Sequence, residues 1–312
     1  MSIDWSYSQE QRDFQRTLAR ILSDLPEPEA KPVFPQGRWT AIAEAGALAL
    51  TAPESGAGAM DVVAAGDALG QGGCPGPWWQ TLLTLDALPA EDAEAAMAGT
   101  LVLTAGTATA IPWGATADRI FELGPYDEAG WRVRLVSLGE VREAWVSLGH
   151  EPVVAAELVP ASPESLVEPR GALLARLGLA AYLSGAGQRV LSDVVAYAGQ
   201  RTQFRTRIGD FTAVAHPLAE VDAQVRAAML LTRRAADALD GAGDPRAAEI
   251  GVHIALRAAA RASRQAVYQA HQTYGAIGFS LEGPLSWLGQ RVAQLATEAE
   301  RLARQVSLVP TA

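Results

Sequence analysis

From Pro169 onward, apolar residues recur at helical spacing almost without interruption, and this feature limits the possible folds more than any other. The period covers roughly 171–199, 212–240, 245–274 and 284–306. It breaks at Ile208-Gly209-Asp210 and again at Gly241-Ala242-Gly243-Asp244-Pro245. Four long helices with short connections predict an up-and-down bundle. Val190, Leu191, Val194 and Val195 put apolar side chains on more than one face of the first of these helices, so a second subunit is expected to cover part of it.

The rest of the chain divides by periodicity into two further regions. Ser8-Gln9-Glu10-Gln11 has the form of a capping box, and Phe14, Leu18, Ile21 and Leu22 follow at helical spacing. More helix is predicted around 38–48, 59–71, 77–88 and 90–98, with a break at Gly72-Gly73-Cys74-Pro75-Gly76-Pro77. From about 100 to 160 the runs are short and β-like: Leu101 to Leu103, Arg119 to Leu123, Trp131 to Val136 and Val141 to Val146, with Pro125-Tyr126-Asp127 read as a turn. A small antiparallel sheet is expected there. The fold class is therefore mostly α, in three domains: a helical domain over 1–98, a small β domain over 99–165 and a four-helix bundle over 166–312. About sixty residues of sheet are near the lower limit for an independent core, so that domain is expected to lean on its neighbours.

Charge and composition exclude several functions. Hydrophobic residues make up 49% of the 312, the net charge is −10, and no Lys/Arg-rich run occurs, so nucleic acid is not an expected partner. Lys31 is the only lysine; the remaining basic residues are arginines, which grip phosphate bidentately. The single cysteine, Cys74, rules out an intrachain disulfide, and its Gly/Pro turn shows no partner for nucleophilic chemistry. His150, His216, His253 and His271 have no metal-ligand spacing, so no metal is expected. No leader-like start and no membrane-spanning run are visible, which fits the cytoplasm.

Two segments carry a family resemblance. Tyr197-Ala198-Gly199-Gln200-Arg201-Thr202-Gln203-Phe204-Arg205-Thr206-Arg207-Ile208-Gly209-Asp210-Phe211 through His216 resembles the acyl-CoA dehydrogenase stretch Y-A-x-x-R-x-Q-F-G-x-x-I-G-x-F-Q-x-x-x-H. Gln272-Thr273-Tyr274-Gly275-Ala276-Ile277-Gly278-Phe279-Ser280-Leu281-Glu282 is similar to the family's Q-x-x-G-G-x-G-F-T-x-E, and Ile111-Pro112-Trp113-Gly114-Ala115-Thr116-Ala117-Asp118 and the opening helix also fit. The resemblance implies the acyl-CoA dehydrogenase fold and an FAD site shared across a subunit boundary. Arg201 would contact the pyrophosphate, Gln203 and Phe204 would line the adenosine half, and Gln272 with Gly275 would approach from the neighbouring subunit. A guanidinium complements a diphosphate, and glycine lets backbone come close to it.

The departures from the pattern are equally informative. Arg205 and Ala276 stand where the family has glycine, and Arg205 with Arg207 adds positive charge that would suit a phosphate such as that of CoA. Neither T-E-P-x-x-G-S-D nor W-I-T-N occurs between 95 and 165, so the chain is not expected to hold an isoalloxazine ring alone. The two positions that the resemblance assigns to the catalytic base fall at Ala175 and Leu295, neither of which can abstract a proton. Glu282 remains as a motif carboxylate, either catalytic or an ordinary helix-start residue. Glu298 and Glu300 read as a solvated face near Arg301 and Arg304, His216 and His271 as packing or hydrogen-bonding residues, and Trp78-Trp79 as core or interface.

Short members that lack both bases resemble the non-catalytic subunit of heteromeric acyl-CoA dehydrogenases of the steroid side-chain type. That likeness implies a partner subunit in a heterotetramer, an acyl-CoA thioester substrate and no activity for this chain alone. The alternative is a homo-oligomer, dimer or tetramer, of the same fold with flavin-independent chemistry or a binding role in secondary metabolism.

Overall fold

A computed structural model describes residues 5–25, 33–280 and 283–305. Helices come first: α1 (Gln9–Ser23), α2 (Gln36–Glu44), α3 (Ala59–Gln71), α4 (Trp78–Thr84) and α5 (Ala90–Met97). Strands follow: β1 (Leu103–Gly106), β2 (Ile111–Pro112), β3 (Arg119–Asp127), β4 (Gly130–Val146), β5 (Pro152–Pro160) and β6 (Ser165–Val167). The chain then returns to helix in α6 (Pro169–Gln200), α7 (Thr212–Asp240), α8 (Pro245–Tyr274) and α9 (Leu288–Ala303).

Local chemistry accounts for the ends of these elements. The Ser8 hydroxyl accepts from the Gln11 N–H at 3.2 Å while the Gln11 side chain accepts from the Ser8 N–H at 2.9 Å, which closes the capping box of α1. Asp244 caps α8 by accepting from the Arg246 N–H at 3.0 Å, with Pro245 in the first turn. The last helix starts four residues later than its period suggests, because Gly283 to Trp287 turn before α9 begins.

The long α6 is the axis of the molecule. Its residues 172–187 are buried on every side, against α3 and α4 as well as α7, α8 and α9. Small residues allow the close approach of α3: a Cβ at Gly70 would fall 2.0 Å from the Tyr182 carbonyl oxygen, and one at Gly185 would fall 2.2 Å from that of Asp67. This packing corrects one expectation. Val190, Leu191 and Val194 are covered by the chain's own core, and of that set only Val195 stays exposed.

The sheet has the order β1-β3-β4-β5-β2, with β6 also pairing β4. All the pairings are antiparallel except β1 with β3, so the expected antiparallel sheet is correct for most of its ladder and wrong at one edge. The two runs at 131–136 and 141–146 form one strand; register shifts at Leu138/Val141 and Val141/Glu143 break its alternation and made it read as two. Pro125-Tyr126-Asp127 is not a turn but the end of β3, where a bulge between Leu123 and Tyr126 accommodates the proline's missing donor. One cluster of buried apolar side chains runs from α1 through the bundle and takes in Phe121, Trp131 and Val133 of the sheet. Among the described residues no helix is long and apolar enough to cross a membrane.

Candidate functional site

At one end of the bundle the two motif segments come together. α6 stops at Gln200 because Arg201 turns extended, at φ −70° and ψ 123°, yet its N–H still donates to the Tyr197 carbonyl at 2.8 Å. The Arg201 carbonyl accepts from Ile208 N–H at 2.8 Å, and Thr202 pairs with Arg207 and Gln203 with Thr206. The result is a two-stranded hairpin whose two-residue tip is Phe204-Arg205, at φ 51° and 63°. Such a tip suits the twist of the strands but favours Asn or Gly; here both residues carry a full side chain.

The tip is bare. Phe204 is 91% exposed. Arg201 and Arg205 are exposed, and among the described residues neither makes an ion pair or a side-chain hydrogen bond, whereas Arg207 is fixed to Asp210 by two contacts of 3.1 Å. Tyr197 packs against Tyr274 with ring centroids 4.8 Å apart, which joins the end of α6 to the end of α8. There Gly275 closes α8 at φ 65° and ψ −139°, its N–H donating to the His271 carbonyl. His271 stacks on Phe279 at 4.5 Å, and its Nδ1 has no partner. Burial holds its pKa below the usual histidine value. Gln272 and Ala276 are exposed, and Ile277 and Phe279 present 51% and 70% of their surface. Thus Arg201, Gln203, Phe204, Gln272 and Gly275 all stand at the end of the bundle where α6 and α8 finish. Beside the hairpin an open cleft of about 540 Å³ has a floor of Leu191, Ala198 and Leu218 and a rim that includes Arg207, Asp210 and Arg226.

The two positions assigned to a base look different. Ala175 is 0% and Leu295 4% exposed, both inside the apolar core, and Glu282 lies outside the described residues. Next to Leu295 on α9 is a buried polar network that sequence reading missed. Arg291 is ion-paired with Glu151, and both are buried. Its Nε donates to the Tyr182 hydroxyl at 3.0 Å and its Nη2 to the Gly76 carbonyl at 3.2 Å. Glu151 also accepts from Trp113 Nε1 at 3.1 Å and from the Gln294 amide at 2.6 Å, and the Tyr182 hydroxyl donates to the Cys74 carbonyl at 2.9 Å. Burial alone would depress the guanidinium pKa; Tyr182 and Glu151 outweigh it and hold Arg291 charged. Burial also raises the Cys74 thiol to about 11, which leaves it a protonated core residue.

Glu298 is not on a solvated face. Its carboxyl is raised to about 7, first by burial and then by the charge of Glu151, while Arg301, Trp79 and Arg291 act the other way. The Trp79 indole N–H faces it without closing a hydrogen bond. Glu300 is ion-paired with Arg264 at 2.7 Å. On the far side of α6, Arg176 is fully buried with its guanidinium 3.9 Å from the Tyr126 ring and 4.4 Å from that of Trp131, tying the sheet to the bundle. His253 is buried nearby with both ring nitrogens unpartnered, and burial together with Arg176 lowers it to about 4. His216, expected to pack, is exposed. No group of three or more potential metal ligands occurs among the described residues.

Residues 171–302 match the acyl-CoA dehydrogenase, C-terminal domain family. The bundle is an acyl-CoA dehydrogenase C-terminal domain. The acyl-CoA dehydrogenase FadE12 of Mycobacterium tuberculosis (strain ATCC 25618 / H37Rv) is 40% identical over 103 residues, 33% of this chain and 26% of that protein. The alignment therefore spans about a quarter of the curated relative. Over the full length the likeness is one of fold. The ChsE4-ChsE5 complex from Mycobacterium tuberculosis superposes with a TM-score of 0.76 at 23% identity, covering 99% of this chain and 100% of that one. Butyryl-CoA dehydrogenase from Megasphaera elsdenii gives 0.76 at 17%, covering 97% and 98%. The whole chain has the acyl-CoA dehydrogenase fold.

Proposed function

We propose that the chain is a subunit of a flavin-dependent acyl-CoA dehydrogenase, contributing the adenosine and pyrophosphate half of an FAD site while a partner subunit supplies the base and the flavin-ring site. Arg201, Gln203, Phe204, Gln272 and Gly275 make up this half-site, and the assembly desaturates an acyl-CoA thioester between its α and β carbons. The observation that carries this reading is the hairpin: an aromatic ring 91% exposed at its tip and the Arg201 guanidinium at its base, which has no counter-ion among the described residues. An exposed aromatic and a free cation fit the base and the diphosphate of a dinucleotide.

The apolar, buried state of Ala175 and Leu295 supports the second half of the reading, since a proton cannot be removed from the acyl α-carbon without a base within reach. FAD, when bound, accepts the hydride; this chain's residues bind and orient its nucleotide end. A match in fold to a complex of two chains, ChsE4 and ChsE5, is consistent with pairing to a different subunit.

The test is a visible spectrum of the purified chain after incubation with FAD and desalting, repeated with the chain co-expressed with an acyl-CoA dehydrogenase-like chain encoded beside it. A colourless chain alone and a yellow complex, bleached by Arg201→Gln in this subunit, are the expected results. Retained flavin together with acyl-CoA turnover by the chain alone would overturn the subunit reading.

A further inference from the structure

The hairpin tip contains a residue that the half-site reading does not use. Arg205 stands at φ 63° directly after Phe204 at φ 51°, so two consecutive residues with Cβ atoms occupy the left-handed region. A glycine would adopt this backbone without strain. An arginine is strained there, and its side chain gains no contact in return: it is exposed and forms no ion pair or hydrogen bond among the described residues. Strained positions that packing does not reward are a recognised mark of functional sites.

Charge leads to the same place. The chain carries a net −10, and arginines elsewhere readily find carboxylates, as Arg119 does with Asp92 at 2.6 Å, Arg189 with Asp193 at 2.6 Å and Arg226 with Asp222 at 2.7 Å. The hairpin concentrates two arginines that have none among the described residues. Arg201 stands just before the ladder of Thr202 with Arg207 and Gln203 with Thr206, and Arg205 stands in the tip beyond it, so only about 7 Å of strand and the turn itself separate the two residues. Two extended guanidinium side chains can span that separation to one diphosphate.

We propose that Arg205 is a second phosphate-binding residue, which with Arg201 and the face of Phe204 clamps an adenosine diphosphate moiety. The proposal rests on the half-site reading above and adds a grip to it. FAD and coenzyme A both contain this moiety, so the ligand is named by the shared chemistry and the experiment separates the sources.

Calorimetric titration of the full chain with ADP, FAD and coenzyme A, for wild type, Arg201→Gln, Arg205→Gly and Arg205→Lys, tests the clamp, with thermal unfolding of each in parallel. Arg205→Gly is expected to bind ADP about tenfold more weakly, the loss of one charge-assisted contact, and to melt higher because the strain is relieved. Arg205→Lys is expected to keep part of the affinity and all of the strain. Weakening of ADP and FAD but not of coenzyme A assigns the flavin, and weakening of ADP and coenzyme A but not of FAD assigns the thioester carrier; either supports the clamp. Unchanged ADP affinity in Arg205→Gly with weakened binding in Arg201→Gln overturns the role of Arg205 and leaves the half-site standing. A lower melting temperature in Arg205→Gly would make Arg205 a structural residue and overturn the proposal as well. No binding of any of the three ligands to wild type overturns the half-site and the clamp together.

Discussion

Replacing Glu151 by alanine tests whether the interior beside Leu295 is held shut by the Arg291 network. The substitution removes the counter-charge of a guanidinium that is itself buried, and it leaves the Trp113 N–H and the Gln294 amide without their acceptor. Only the Tyr182 hydroxyl and the Gly76 carbonyl remain to Arg291. Stranding one member of a buried ion pair costs about 3–5 kcal/mol, and the lost neutral acceptors bring the total to about 5 kcal/mol. At about 2.1 cal/mol/K per residue, 312 residues unfold with an entropy of about 0.66 kcal/mol/K, so the melting temperature should fall by about 8 °C.

The double variant Glu151→Leu with Arg291→Met separates charge from shape. Apolar replacement of both partners removes the uncompensated charge, and most of the lost stability should return. Scanning calorimetry at one protein concentration and one scan rate is the assay, because association and irreversibility move apparent midpoints. A shift under 2 °C for Glu151→Ala, or a double variant less stable than the single one, would show that the network does not carry the packing of α9 against α6 and the β4–β5 turn.

Three further outcomes follow from the same geometry. Glu298 has a folded pKa of about 7, above its unfolded value, so its ionisation works against folding: the penalty is absent below about pH 4.5, grows up to pH 7 and is full beyond it. Glu298→Gln should therefore stabilise the chain by about 2 kcal/mol at pH 8, allowing for the side chain's partial exposure, and by nothing at pH 4, as read from urea midpoints; equal effects at both pH values would refute the assignment. Leu295→Glu places a carboxylate where the resemblance puts the base, but in a site 4% exposed, so it should lower the melting temperature and give no dye reduction with acyl-CoA; turnover would show that a substrate cavity exists there. Gly275→Ala meets open space but forces an L-residue to φ 65° and ψ −139°, which should cost about 1–3 kcal/mol in calorimetry; an unchanged midpoint would mean that the end of α8 relaxes freely.

What could be read in the sequence follows the range of the interaction concerned. The bundle helices were legible because their apolar period is local and sustained over twenty-nine residues or more in α6, α7 and α8. The hairpin residues were legible because Arg201 to Phe211 keep an order that a family shares. β4 reads as two runs because two register shifts interrupt its alternation, and β5, apolar from Val153 to Ala156, lacks the alternation that marks a strand. Glu151 and Arg291 are 140 positions apart, and neither has a local pattern that points to the other. Val190, Leu191 and Val194 point to a second subunit only because an all-round apolar helix signals that something covers it; here the cover comes from the same chain.

These features divide the molecule into a closed interior and an open end. Around Ala175 and Leu295, tryptophans, a buried ion pair and small-residue contacts fill the space, and the polar atoms without a partner there, such as Trp79 Nε1, Arg176 Nε and both ring nitrogens of His253, are enclosed by packing. At the hairpin and the adjoining end of α8 the balance is reversed: a bare phenylalanine, two guanidiniums without a partner among the described residues, a half-exposed Ile277 and an exposed Phe279 lie beside a backbone that is strained at 204 and 205. A strained arginine without a partner among the described residues, next to an exposed aromatic, argues for a ligand at this end. Closure of the interior at Ala175 and Leu295 fits the proposed division of labour, in which a partner subunit supplies the base.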